Sequence, residues 1–369
     1  MSAFFYSLYY KFFALFSATL MLISPSFRAT IERAETDKQF QITHIEELKS
    51  SYATGERTPV DEKTIFNGDL SAALENGVKF NELTFLGTHN SYQRYHESES
   101  SGCGNDEKGA PITLSDQLDS GLRSLEIDIE TVVDETGTHF LCMHSPLLDM
   151  ETNCYSFEKA LEELTVWSDN NPGHLPITII IEPKPVFIPL ENMEFFSLKA
   201  ANALDATVRE ALGDKLVTPA DVMGNYSSLR EMRENDAWPL AKDMLGKFAV
   251  ILHPCSVTSD YIGQDESIKT QSLFPMVNIK DKDKSYASFL LINDAQLLLK
   301  KSASLADGNY MIRTRADLSG QYSATTFSAA SASAANIIST DYPHLESGDG
   351  DKFIAFDGIT TVKLSSFAE

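Results

Sequence analysis

Short apolar runs recur along the chain, separated by longer amphipathic stretches. LTFLGT (83–88), SLEIDIE (124–130), HFLCMH (139–144), ITIIIEP (177–183), FAVILHP (248–254), SFLLIND (288–294), YMIRTRAD (310–317) and IISTDYP (337–343) read as strands. Several are continuously apolar, as strands covered on both faces are. Between many of them, 113–120, 156–169, 192–213, 226–234, 295–306 and 325–335 read as helices. In 156–169, Ser156 suits an N-cap, and Phe157, Ala160, Leu161 and Leu164 form one apolar stripe. Asn171-Pro172-Gly173 then stops the helix.

Eight such runs alternating with helices predict an α/β fold, an irregular (β/α)8 barrel of the TIM type. The irregularity falls between Glu130 and His139, where eight residues are too few for a parallel crossover. Asp134-Glu135-Thr136-Gly137 has turn chemistry. Either the barrel is irregular there, or 139–144 is a hairpin strand above it. Residues 27–60 are polar, with a short helix expected around 44–52. The expected division is a signal at 1–26, a leader or helical extension at 27–77, a barrel at 78–345 and a tail at 346–369. FIAF and ITTVKL in that tail read as a strand closing the barrel's bottom.

Barrel enzymes place their chemistry at the carboxyl ends of the strands. Here those positions hold His89-Asn90, then Glu126 and Asp128 on one face of a strand, then His144, then Glu182 after three isoleucines. Neighbouring carboxylates on an inner strand need a cation or a shared proton. Three carboxylates and an amide oxygen make an all-oxygen site suited to Ca²⁺ or Mg²⁺ and not to zinc. Two histidines beside it suit acid/base work on a phosphate ester. The competing bland reading pairs Glu126 and Asp128 with Arg123 or Lys184. Lys184, Arg313 and Arg315 are either phosphate or inositol contacts or counter-ions for barrel carboxylates. Tyr342 either stacks on a ring or is structural, and Asp341 bonds Arg315. His253 reads as a strand-end group without chemistry, and His96, His139, His174 and His344 as surface groups.

The formal net charge of −23 disfavours nucleic acid as a partner and repels anionic lipid. FFALFSATLMLI (12–23), followed by Ser24-Pro25-Ser26, fits a secretory signal and an extracellular protein, with an uncleaved anchor as the alternative. Export would permit up to two disulfides among Cys103, Cys142, Cys154 and Cys255, in any of three pairings.

GTHNSYQ (87–93), GLRSLEIDIE (121–130), CMHSP (142–146) and IIIEPK (179–184) resemble, in order and spacing, the catalytic blocks of calcium-dependent phosphoinositide-specific phospholipases C. RTRAD (313–317) and STDYP (339–343) are similar to those of the smaller secreted members, and also to those of glycerophosphodiester phosphodiesterases. The resemblance implies a phospholipase C-like phosphodiesterase barrel with Asn90, Glu126, Asp128 and Glu182 holding Ca²⁺. It implies that His89 stabilises the phosphoryl charge and His144 protonates the leaving diacylglycerol oxygen. The inositol 2-hydroxyl would attack, losing its proton to Glu126 or Glu182, with Gly87 keeping the approach to the backbone open. Phosphatidylinositol-type lipids are the implied substrates, met by a monomer in transient contact with a membrane surface. The rivals are a glycerophosphodiester phosphodiesterase acting on soluble diesters, and a catalytically inactive secreted binding protein on the same barrel.

Overall fold

The computed structural model describes residues 11, 25–94, 112–185, 189–265, 267–317, 321–343 and 353–367. Most of the signal read at 1–26, along with His96, Cys103 and His344, lies outside the described residues.

Eight parallel strands close a barrel: β1 Leu83–Thr88, β2 Ser124–Asp134, β3 Ile177–Pro183, β4 Phe248–Leu252, β5 Phe274–Asn278, β6 Phe289–Leu291, β7 Met311–Arg315 and β8 Ile337–Thr340. Ile337 to Thr340 pair with Phe85 to Thr88, which joins β8 to β1. The β1–β2 seam is a single register pair, Gly87 with Ser124. A Cβ on Gly87 would stand 2.5 Å from the Ser124 carbonyl oxygen, so glycine is required for the two backbones to meet. The close approach anticipated at Gly87 is therefore that of a neighbouring strand rather than of a ligand.

Below that seam β1 and β2 diverge. Val362–Leu364 fills the gap, pairing antiparallel with Leu83 to Phe85, and Phe66–Asn67 pairs with it in turn. The tail thus contributes a strand at the bottom of the barrel, as its sequence suggests.

Two readings change. Gly137–Cys142 is a hairpin strand, antiparallel to β2 through the turn at Asp134. The place in the barrel that it could have taken belongs to β5, whose sequence FPMVN carries no plain strand signal. Pro275 within five residues argues against a strand by ordinary rules, yet it sits inside the closed sheet opposite Leu252. The N-terminal helix α1 spans Pro25–Thr54, far longer than 44–52. Its C-terminal half buries Ile45 and Leu48, but farther back it buries Asp37 and Gln41, so apolar periodicity marks only the end.

Among the further helices that pack on the strands are α2 Leu114–Asp119, α3 Phe157–Asn170, α4 Leu198–Leu212 and α5 Ala295–Ala306. Ser156 caps α3 by accepting from the Lys159 N–H. Its stripe of Phe157, Ala160, Leu161 and Leu164 packs with Leu204 and Val208 of α4 and Ile179 and Ile181 of β3 in one core cluster. α1 lies along α3: the Gln41 amide donates to the Ser156 carbonyl at 2.9 Å, and His44 Nε2 is 3.1 Å from Glu163 Oε1. Farther toward its start, Asp37 accepts from Arg94 at 2.8 Å and from the Thr152 N–H at 3.2 Å, which ties α1 to two loops at the barrel mouth. No helix among the described residues is long and apolar enough to cross a membrane.

Candidate active site

The turn after β1 carries His89 and Asn90. The His89 N–H donates to Thr340 of β8 at 2.9 Å, and the next peptide is pinned by Ser91, whose N–H donates to the Glu126 carbonyl at 2.7 Å. The Ser91 Oγ accepts from the Glu126 N–H at 2.8 Å. Between these anchors Asn90 takes φ +47°, a left-handed conformation that asparagine tolerates better than most residues. The turn is thus held in one shape at its strained residue.

From β2, Glu126, Asp128 and Glu130 share one face, and all three are buried. Each avoids the cost of a bare buried charge in its own way. The Arg313 guanidinium donates to Glu126, and also to Asn293 and to Ser339. Burial pushes the Glu126 carboxyl up, but Arg313 and then His89 outweigh it and hold it at about 2. Lys184 Nζ lies 3.0 Å from Asp128 Oδ2 and 3.2 Å from Glu182 Oε1. Glu130 has no hydrogen-bond partner on either oxygen; burial and the Asp128 charge push it up to about 9, so it is neutral at pH 7.

His144 follows the hairpin strand, whose register sets Cys142 against Ile129 and so brings the imidazole back over Asp128. Its Nδ1 is 3.1 Å from Asp128 Oδ2. Tyr92, fully buried, donates its hydroxyl to the same oxygen at 2.6 Å. His89 has a parallel arrangement, with Nδ1 2.8 Å from Asp341 Oδ1 and Nε2 3.8 Å from Glu126 Oε1. A carboxylate only accepts, so in both histidines Nδ1 carries a proton and Nε2 is left for other work. Burial raises the Asp341 carboxyl, yet His89 and Arg315 hold it at about 2. Arg315 donates to Asp317 and Asp341, each at 2.7 Å.

The structure therefore gathers His89, Asn90, Glu126, Asp128, His144, Glu182, Lys184, Arg313 and Arg315 at one end of the barrel. Lys184, Arg313 and Arg315 all serve as counter-ions here. Arg123, the alternative partner for Glu126 and Asp128, is at the opposite end and pairs with Glu62. Tyr342 packs edge-on against Tyr322, with ring centroids 5.6 Å apart. His174 is fully buried beside Ser168, contrary to its surface reading. Cys142, Cys154 and Cys255 are free thiols, so no disulfide is formed among the described residues.

Three participants escape the sequence reading. Tyr92 stands inside the GTHNSYQ block, and its signal is that a buried tyrosine hydroxyl must find a partner. Asn293 carries no periodic signal at all. His253, read as inert, has Nδ1 4.0 Å from Glu182 Oε1.

The donor set fits a hard divalent cation in chemistry. All four side chains offer oxygen, and Asp128 Oδ1 is buried with no hydrogen-bond donor. Among the described residues, however, no three His, Cys, Asp or Glu side chains converge in a ready-made metal cluster. Lys184 and Arg313 neutralise the carboxylates instead.

Comparison with known proteins agrees with this fold. None of the curated proteins compared matches the chain. Two similar solved structures are the calcium-dependent phosphoinositol-specific phospholipase C of a Gram-negative Pseudomonas sp. and a Ca²⁺-dependent phosphatidylinositol-specific phospholipase C from Streptomyces antibioticus. The first is 18% identical with a TM-score of 0.59, over 82% of this chain and 99% of that one. The second is 20% identical with a TM-score of 0.57, over 78% of this chain and 99% of that one. At such identities the likeness establishes the fold. The model of the family "Phosphoinositide phospholipase C, Ca2+-dependent" matches residues 131–365, which include His144 and Glu182 and begin after Asp128. That match spans more than half of the sequence, and the chain belongs to the Ca²⁺-dependent phosphoinositide phospholipase C family.

Proposed function

We propose that the protein cleaves the glycerol–phosphate bond of phosphatidylinositol-type lipids, releasing diacylglycerol and an inositol phosphate by way of a cyclic phosphodiester. The observation that carries this is the pair of imidazoles at the barrel mouth, each with Nδ1 fixed by a carboxylate. Asp128 and Tyr92 hold His144 so that Nε2 can give a proton to the leaving glycerol oxygen. Asp341 holds His89 so that its Nε2 faces the phosphoryl oxygens. Fixing these rings before substrate arrives removes the cost of ordering them during the reaction.

The nucleophile is the 2-hydroxyl of the substrate's own ring. Glu182 is the better placed proton acceptor, because its side chain is 26% exposed whereas Glu126 is 2% exposed behind Arg313. Asn90, Glu126, Asp128 and Glu182 would hold Ca²⁺. Bound there, the ion would neutralise phosphoryl charge and acidify a coordinated hydroxyl. Export, supported by the apolar run 12–23, and action as a monomer in brief contact with a membrane belong to the same reading.

The test is phosphorus NMR of the purified protein with phosphatidylinositol in mixed micelles, with Ca²⁺ and with chelator. The expected result is a calcium-dependent signal from inositol 1,2-cyclic phosphate. Hydrolysis of glycerophosphoinositol without any cyclic product would replace the reading with a glycerophosphodiesterase. Turnover of neither would make the protein a binding protein.

A further inference from the structure

A third imidazole stands at the same mouth. His253 follows β4 directly, and its N–H donates to the Ile181 carbonyl of β3 at 2.9 Å, so the adjoining strand fixes its backbone. The ring turns Nδ1 toward Glu182 Oε1, 4.0 Å away, and that nitrogen is buried without a hydrogen-bond partner. The side chain as a whole keeps 16% of its surface exposed, so the ring is not sealed into the wall.

Two other imidazoles at the mouth also face carboxylates, at the shorter distances of 2.8 Å and 3.1 Å. His89 faces Asp341, His144 faces Asp128 and His253 faces Glu182, each through Nδ1. Three strand-end histidines whose Nδ1 atoms all face carboxylates leave three Nε2 atoms for other partners. Two have roles in the proposed reaction. The third lies beside Glu182, on the side assigned to the attacking hydroxyl. The neighbouring cations are committed: Lys184 to Asp128 and Glu182, Arg313 to Glu126, Arg315 to Asp317 and Asp341.

We infer that His253, held beside Glu182 by its backbone bond to Ile181, is a substrate-binding residue that contacts a hydroxyl of the inositol ring through Nε2. The inference rests on the phospholipase reading of the site. An imidazole suits this position because it can donate to or accept from a hydroxyl without adding a fixed charge. Losing a hydrogen bond to an uncharged hydroxyl weakens binding more than it slows the chemical step, when the bond exists equally before and during the reaction.

The experiment compares wild type with His253→Ala and His253→Gln, after matching thermal melts show that each is folded. Calorimetry with D-myo-inositol 1-phosphate reads binding without turnover, and kinetics on phosphatidylinositol micelles read KM and kcat separately. The expected result for His253→Ala is a roughly tenfold weaker Kd and a tenfold higher KM, with kcat lowered less than threefold. His253→Gln should recover part of the affinity. Calcium affinity, measured by titration without substrate, should move less than twofold. Unchanged Kd and KM in both variants would overturn the inference while leaving the phospholipase reading intact. A tenfold loss of calcium affinity would overturn it too, making His253 a support for the metal ligands. A wild-type protein that binds inositol 1-phosphate no more tightly than His253→Ala would also overturn it. Absence of turnover in wild type, with binding that depends on His253, would instead remove the phospholipase reading.

Discussion

Arg123 and Arg313 are both buried arginines, at opposite ends of one barrel. At the bottom, Arg123 donates to the Leu118 carbonyl at 2.8 Å and the Leu122 carbonyl at 2.7 Å, pairs with Glu62, and lies 5.2 Å over the Trp167 ring. Its partners tie α2, β2 and the chain ahead of β1 together, and no reacting group is among them. At the mouth, Arg313 spends its donors on Glu126, Asn293 and Ser339. Of these, Glu126 is also a candidate ligand for a cation. The same residue, equally buried, thus closes one end and keeps the other in balanced charge. At the mouth several basic groups crowd the carboxylates, Lys184 and His144 sharing Asp128 and His89 and Arg315 sharing Asp341, whereas at the bottom Arg123 has one carboxylate partner, Glu62.

Substitutions at the two ends should separate these roles. The largest effect is expected from His89→Ala or His144→Ala, which should each lower kcat by about 10²–10⁴-fold with little change in thermal stability. A loss below tenfold would remove the residue concerned from the catalytic assignment. Next, Arg123→Met should lower unfolding free energy by about 3–5 kcal/mol by denaturant titration, since it strands Glu62, while kcat of the folded fraction stays at the wild-type value. A large fall in kcat there would blur the division between the two ends.

A smaller and pH-dependent effect belongs to His174, also at the bottom. Burial pushes its imidazole down to about 4, with Arg123 adding to the shift and the Leu175 carbonyl opposing it. The unfolded chain binds this proton near pH 6.5 and the folded chain only near 4. Stability is therefore full above about 6.5 and lost as pH falls toward 4, by about 3 kcal/mol in all. His174→Gln should flatten that part of the curve in denaturant titrations between pH 4 and 7. An unchanged slope would assign the acid sensitivity to other groups.

Seven of the eight barrel strands were legible as short runs rich in apolar and β-branched residues, several of them continuously apolar because both faces are covered. β5 was hidden by Pro275, and the hairpin strand imitated a barrel strand because its apolar positions serve the same core. The longest helix was half hidden, since Asp37 and Gln41 bury polar atoms through specific bonds that no hydrophobic pattern reports. At the site, alternation along β2 was enough to put Glu126 and Asp128 on one face. What sequence could not supply was pairing across the barrel. Whether Glu126 meets Arg123 or Arg313 depends on which end each reaches, and only closure decides that. His253 looked inert because a single histidine before a proline says nothing until Glu182 is seen beside it.

The register of β1 has a consequence for how the chain reaches this state. Its residues Leu83 to Phe85 are bonded to Leu364 through Val362, and Phe85 to Thr88 to Ile337 through Thr340. Both partners lie far along the chain from β1. Apart from its single register pair with β2, the strand leading into His89 therefore finds its neighbours through contacts of very high sequence separation, which makes for slow folding. An enzyme assembled through such contacts completes its catalytic mouth late in folding. Its activity begins with the joining of the two ends of the barrel.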